Sequence, residues 1–333
     1  MKHFEFGGAS VAPGTSQTVE LEVSVLANNN RLNMPVHVVH GEKQGPVFFM
    51  SGAIHGDEIL GVEIIRLVLQ ALKGMKLAGT ILAVPIVNSF GFLNHSRYLP
   101  DRRDLNRSFP GSDRGSLASL LADLFFVQVV QRSQFGIDYH TAALHRRNLP
   151  QIRLAPNDKD LMLLAEAFAP PVILTAKLRD GSLRKAAMES GVKVLLYEGG
   201  EALRFDEMAI DTAVKGTLRF LKHIGMISDA PGPPPHAASF MSTSSAWLRA
   251  PEGGILHSVR RAGDRVKEGE ELGVITTAFG ENPVPIIAED AGMIIGRTNL
   301  PIVNRGDALF HVARMKPKSK GIVQSVPDED EII

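Results

Sequence analysis

Two histidines and a glutamate fall at points in this chain where metal-assisted hydrolysis could be assembled. Ser51–Gly61 reads SGAIHGDEILG and follows a buried strand pattern, with His55 and Glu58 three residues apart. At a helix start that spacing puts both side chains on one face. Gly52 and Gly56 permit the tight turn that would aim them out of the strand's carboxyl end, the edge of an open α/β sheet where ligands bind. An imidazole and a carboxylate converging there suit a divalent metal. The bland alternative is a surface histidine beside a carboxylate favoured by the helix dipole. Further on, FGIDYHT (Phe135–Thr141) puts Asp138 and Tyr139 on opposite faces of a strand, with His140 expected where that strand opens into a loop. Two histidines and one glutamate, with a fourth position left for water, are a common catalytic zinc set. His55, Glu58 and His140 are therefore read as the ligands of one Zn2+ per chain.

Two further segments could complete such a site. RYLPDRRDLNRSFPG (Arg97–Gly111) carries Arg97, Arg102, Arg103 and Arg107 on a loop expected at the same sheet edge. Such clusters are usually solvated surface charge, yet arginine suits bidentate recognition of a carboxylate. One of the four could anchor an acidic group while another stabilises an oxyanion. YEGG (Tyr197–Gly200) follows another apolar strand, and Glu198 there could move a proton between water and a leaving amine. A glutamate beside two glycines is equally a turn or the approach to a helix.

These residues need elements to position them. Short apolar runs at Val36–Val39, Val47–Met50, Thr80–Ile86, Gly136–Tyr139, Ile152–Ala155, Val172–Thr175 and Val192–Tyr197 read as strands covered on both faces. Between them, helical patterns occupy Glu58–Leu72, Leu117–Gln131, Lys159–Phe168, Ser182–Ser190 and Asp206–His223. That alternation predicts an α/β domain over residues 1–230, its sheet largely parallel and clad by helices on both faces. Residues 1–33 are expected to add strands that pack elsewhere. A Pro- and Ser-rich stretch at 231–245 reads as a linker. Residues 246–315 carry short glycine-punctuated strand patterns, as in a compact all-β module. The charged stretch 316–333 reads as a frayed tail.

Composition narrows the function. The 333 residues contain 36 Lys plus Arg against 36 Asp plus Glu, so no bulk field draws nucleic acid or anionic lipid. With no cysteine, disulfides and thiolate chemistry are excluded, and a metal must be held by His, Asp or Glu. No secretory-signal or membrane-spanning run is visible, and a cytoplasmic location is expected. Homo-oligomerisation is left open.

Taken in order from Val36 to Gly200, these motifs resemble the succinylglutamate desuccinylase/aspartoacylase family, which has the zinc carboxypeptidase-like fold. The resemblance implies that GAIHGDE and the later histidine supply His55, Glu58 and His140 to zinc. It implies that DLNR, Asp104–Arg107, offers Asn106 and Arg107 to a substrate carboxylate. It further implies that Arg97 polarises the scissile carbonyl, with Arg102 and Arg103 as close competitors, and that Glu198 is the catalytic carboxylate. His145, Arg146, Arg147 and Arg153 are candidate additional contacts. No counterpart is found for the mobile tyrosine of true zinc carboxypeptidases. Residues 246–315 resemble a biotinyl/lipoyl-type barrel-sandwich, but the turn that would carry a modified lysine, Glu289–Met293, reads EDAGM and has none. The implied activity is zinc-dependent deacylation of a small N-acyl amino acid. The rivals are a zinc carboxypeptidase acting on short peptides and a non-catalytic, metal-dependent binder of small carboxylates.

Overall fold

The computed structural model describes residues 1–232 and 238–315. A hairpin of β1 (Phe4–Phe6) and β2 (Ala9–Val11) opens the chain, followed by β3 (Thr15–Val25), β4 (Arg31–His40) and β5 (Lys43–Ser51). Then come α1 (Leu60–Ala71), β6 (Ala78–Val84), the short α2 (Ser89–Leu93) and a single 3-10 turn at Leu105–Arg107. α3 (Leu117–Phe125) runs through a π-helical turn into β7 (Phe135–Ala142) and β8 (Arg146–Leu154). α4 (Lys159–Phe168), β9 (Val172–Thr175), α5 (Leu183–Glu189), β10 (Lys193–Glu201) and α6 (Glu207–His223) follow.

Every later described element is a strand: β11 (Phe240–Ser242), β12 (Ser245–Arg249), β13 (Gly254–Ser258), β14 (Arg265–Val266) and β15 (Glu271–Thr276). The last are β16 (Val284–Ile287), β17 (Gly292–Thr298), β18 (Ile302–Val303) and β19 (Ala308–Arg314).

The expected α/β alternation is present, and its sheet is mixed. β6, β5, β7 and β10 lie side by side in parallel. β4 and β3 continue the sheet antiparallel on one side, and β8 does so on the other. Two cores sandwich it. On one face α1, α4 and α6 bury Ile64, Leu164 and Phe220 against Tyr139 and Tyr197. On the other, α3, α5 and the first hairpin bury Phe125, Leu183 and Phe6 against Phe49 and Val84. Ser116, Asp158, Ser182 and Asp206 begin their helices as N-caps, each side chain accepting a backbone N–H three residues on.

Three segments differ from the sequence reading. Residues 1–33 pack in part on the main sheet, because β3 pairs with β4 along its length. Within the expected linker, Phe240–Ser242 forms β11 and pairs in parallel with β9, where Phe240 packs beside Val172 and Leu174. The C-terminal strands form a sandwich around Leu272, Ile294 and Phe310. One half is a separate four-stranded sheet, β16-β15-β13-β18, while the other half extends the main sheet through β17 pairing with β8. The EDAGM turn leads into β17, and Arg314 ion-pairs with its Asp290 at 2.6 Å. Residues 316–333, read as a tail, lie outside the described residues. No helix among the described residues is long and apolar enough to cross a membrane.

Candidate active site

Three strand ends converge on one cavity, and the donor side chains follow from how each strand finishes. After β5 the chain turns before α1 begins at Leu60, so His55 and Glu58 sit on the turn rather than on the helix expected from Glu58 onward. The glycines act differently from the expected tight turn. Neither Gly52 nor Gly56 has a positive φ; that conformation falls on Ala53. A Cβ on Gly56 would lie 1.9 Å from the backbone of Gly91 in α2, so the glycine admits that helix against the turn. His140 lies inside β7, which continues to Ala142, on the face shared with Asp138 and opposite Tyr139.

The donor cluster is buried and closely bonded. Glu58 Oε1 lies 2.7 Å from His55 Nδ1, and Glu58 Oε2 lies 2.8 Å from His140 Nδ1. The second nitrogen of each imidazole faces a different carboxylate: His55 Nε2 is 3.2 Å from Asp104, and His140 Nε2 is 2.7 Å from Asp138. Asp138 in turn accepts from Ser51 Oγ at 2.7 Å. Asp104 accepts from the Asn106 backbone at 2.8 Å and from the Arg97 guanidinium at 3.0 Å. Arg97 also reaches Glu58 Oε1 at 3.3 Å.

Ionisation is set by these contacts. Burial opposes charge on Glu58, but His55 and His140 outweigh it and hold the carboxyl well below its usual range. Asp104 is lowered likewise, its burial overcome by His55, Arg97 and Arg107. Burial pulls both histidines down; carboxylate neighbours reverse this, raising His55 and raising His140 well above the usual value.

The donor set fits a divalent cation. His55, Glu58 and His140 each offer a ligand atom, all within 4.8 Å of one another. Around the two imidazoles stand the carboxylates Glu58, Asp104 and Asp138, with the Arg97 guanidinium bonded to Glu58 and Asp104 and Arg107 also acting on Asp104. That balance favours protons on the histidines or, equally, a metal ion in their place. A carboxylate on the far nitrogen of each imidazole is the usual support of a metal-binding histidine.

Glu198 stands beside this cluster. It is the register partner of His140 on the adjacent parallel strand, and both line the same cavity of about 110 Å³. YEGG is a strand with a bulge rather than a turn: pairing shifts register after Glu198, and Gly200 takes φ +73°. Asn148 Nδ2 donates to Glu198 Oε2 at 2.9 Å, and Arg153 approaches Oε1 at 3.7 Å.

Among the arginines, Arg97 is buried at the cluster, whereas Arg102 and Arg103 are exposed. Asn106 lines the cavity and its Oδ1 accepts from the Leu183 backbone at 2.9 Å. Arg107 is not among the lining residues; its guanidinium donates to the Asn106 carbonyl at 2.7 Å. Arg146 and Arg153 line the cavity, while Arg147 bonds Asp206 and His145 is exposed. Sequence reasoning missed Asp104 and Asp138 as partners of the histidines, Asn148 as partner of Glu198, and the wall formed by Ser245, Trp247 and His311. The first two carried a signal, since each is an acidic residue inside a motif already singled out. The wall carried none.

Fold and site together define a mixed α/β protein with a buried His-Glu-His centre at the ends of its central strands. The chain belongs to the succinylglutamate desuccinylase/aspartoacylase family, whose catalytic-domain model matches residues 44–224, more than half of it. It is similar to an N-alpha-acetyl-L-2,4-diaminobutyric acid deacetylase of Halomonas elongata, at 27% identity over 85% of this chain and 86% of that one. A succinylglutamate desuccinylase/aspartoacylase from Rhodobacter sphaeroides shares the fold at a TM-score of 0.76 and 23% identity, covering 90% of this chain and 95% of its own. The product-bound ectoine utilization protein EutE (DoeB) from Ruegeria pomeroyi does so at 0.78 and 22%, with the same coverage.

Proposed function

We propose that this protein is a zinc-dependent hydrolase of the amide bond of a small N-acyl amino acid. Membership of a deacylase family, and likeness to a deacetylase of an acylated diaminobutyrate, support the amide-deacylase class. The observation that carries the reading is Glu198, facing the same cavity as the His55–Glu58–His140 donor set. A binding protein has no need of a buried carboxylate beside its metal donors.

His55, Glu58 and His140 would hold the ion, and a bound zinc would supply an acidified water and a Lewis acid for the carbonyl. Asp104 and Asp138 keep the far nitrogens of the two histidines engaged and so fix ring orientation. Glu198, steadied by Asn148, accepts a proton from water as it attacks the carbonyl and returns it to the departing amine nitrogen. Arg97 offers its guanidinium to the oxyanion. Asn106 contacts a substrate carboxylate, with Arg107 supporting it through its main-chain carbonyl. The β8–β17 pairing brings the C-terminal strands against the cavity, and its small volume favours an acyl amino acid over a peptide.

The test is amine release by zinc-loaded protein from a panel of N-acyl amino acids and short peptides. Turnover confined to acyl amino acids is expected. Cleavage of C-terminal residues from the peptides would move the protein to a carboxypeptidase role, and tight binding without turnover across the panel would make it a carboxylate binder.

A further inference from the structure

The row of residues that carries Glu198 does not stop at the α/β half of the molecule. Register pairs cross the extended sheet in sequence: His140 on β7 with Glu198 on β10, Gly200 on β10 with Asn148 on β8, Asn148 with Gly296 on β17, and Gly296 with His311 on β19. Pairing of β10 with β8 shifts register between Glu198 and Gly200, which brings the Asn148 side chain to the carboxylate. Asn148 Nδ2 donates to Glu198 Oε2 at 2.9 Å. A carboxylate acting as a base only accepts, so the amide must turn its nitrogen to Glu198 and its oxygen away. The oxygen faces Gly296, on the strand by which the C-terminal sandwich joins the main sheet.

There the amide oxygen occupies the space that a side chain would need. A Cβ built on Gly296 would lie 2.7 Å from Asn148 Oδ1 and 3.4 Å from the His311 Cβ. A carbon and an oxygen come to rest about 3.3–3.6 Å apart, so the first approach is a clash. The second is a close contact with a side chain that is held in place. The His311 ring stacks on Trp247 with centroids 4.7 Å apart, and its Nε2 lies 2.9 Å from Ser245 Oγ. Gly296 has no positive φ, so a side chain there would not strain the backbone. What must move is the Asn148 amide, by at least about half an ångström, which is the tolerance to which a catalytic group has to be held.

We infer that Gly296 is a positioning residue for Glu198: by presenting no side chain to Asn148, it leaves the amide room to hold the carboxylate. The general base of the α/β domain is thus set in part by a strand of the C-terminal sandwich. The inference rests on the hydrolase reading of the same cavity, but the chain of contacts from Gly296 through Asn148 to Glu198 is measurable without turnover.

The experiment compares Gly296→Ala, Asn148→Ala and the double variant with wild type, as zinc-loaded full chains, on the N-acetyl-L-amino acid that wild type cleaves fastest. Gly296→Ala should lower kcat about tenfold or more, the scale of one hydrogen bond to a charged group, with KM little changed. Asn148→Ala should do the same. The double variant should lose no more than Asn148→Ala alone, because the added methyl then has no amide to displace. Losses that multiply overturn the inference, since a glycine needed only for strand packing would act independently of Asn148. Full activity in Gly296→Ala, or loss of its zinc, overturns it as well. In parallel, the Asn148 side-chain amide is followed by NMR in the metal-free full chain carrying isotope-labelled asparagine, its signal assigned by its disappearance in Asn148→Ala. Glu198→Gln and Gly296→Ala should each shift that signal. A signal unmoved in Gly296→Ala overturns the inference even where activity falls. Shifts in both variants with no hydrolysis by any chain would sustain the contact chain while removing the hydrolase reading; hydrolysis with independent losses would do the reverse.

Discussion

The two ends of the cavity are built in opposite ways. At the reacting end His55, Glu58, His140, Asp104 and Asp138 are tied to one another at 2.7–3.2 Å and are nearly all buried. His55 and Glu58 lie just beyond β5, Asp138 and His140 lie within β7, and Asp104 lies on a loop beside them. At the other end Arg146, Trp247 and His311 meet by ring contacts, and two of the three arrive on strands from the C-terminal sandwich. The first arrangement fixes atoms to the tolerance that chemistry needs. The second closes the rest of the cavity with stacked rings and a guanidinium.

If the reacting end is a bonded unit around a metal, its members should fail in a graded order. His140→Ala removes a ligand, and zinc content after dialysis should fall to background. Asp138→Asn keeps the ligand but weakens its support, so zinc affinity should drop by about 10–100-fold, read by competition with a chelator. Equal losses in the two variants would mean that Asp138 acts on folding rather than on the ligand, and the contrast between the ends would blur.

The Trp247–His311 end should show its character in pH dependence. His311 is neutral in the fold with its pKa lowered, while in the unfolded chain it titrates near 6.5. The unfolded state therefore binds the proton first as pH falls. Stability is fully present above that value and declines as pH drops below it towards the folded pKa. The urea midpoint should fall between pH 7.5 and pH 5.5, and His311→Gln should flatten this part of the profile. An unchanged slope in the variant would place the acid sensitivity elsewhere.

The same contrast explains what could be read from the sequence. His55, Glu58, His140 and Glu198 stand within short motifs, at places where apolar runs end, so local pattern was enough to gather them. α4 and β9 were legible to the residue because Asp158 caps the helix and Val172–Thr175 is a β-branched, mostly apolar run preceded by proline. The helical state of Glu58 was misjudged because two backbones meet at Gly56, a long-range contact that no local spacing encodes. Trp247 and His311 are 64 residues apart and reach the cavity only because β17 pairs with β8. A linker reading of 231–245 hid that continuity, since the strand at Phe240–Ser242 is three residues long and stable only against β9.

The central claim is that Glu198 works chemically beside a metal it does not hold. The most direct test measures zinc stoichiometry and amine release together, on wild-type protein and Glu198→Ala. The account predicts one zinc per chain in both, with turnover in the variant lower by about 10²–10⁴-fold, the scale of a lost general acid–base. Loss of zinc in step with loss of activity, or activity that survives the substitution, would contradict it.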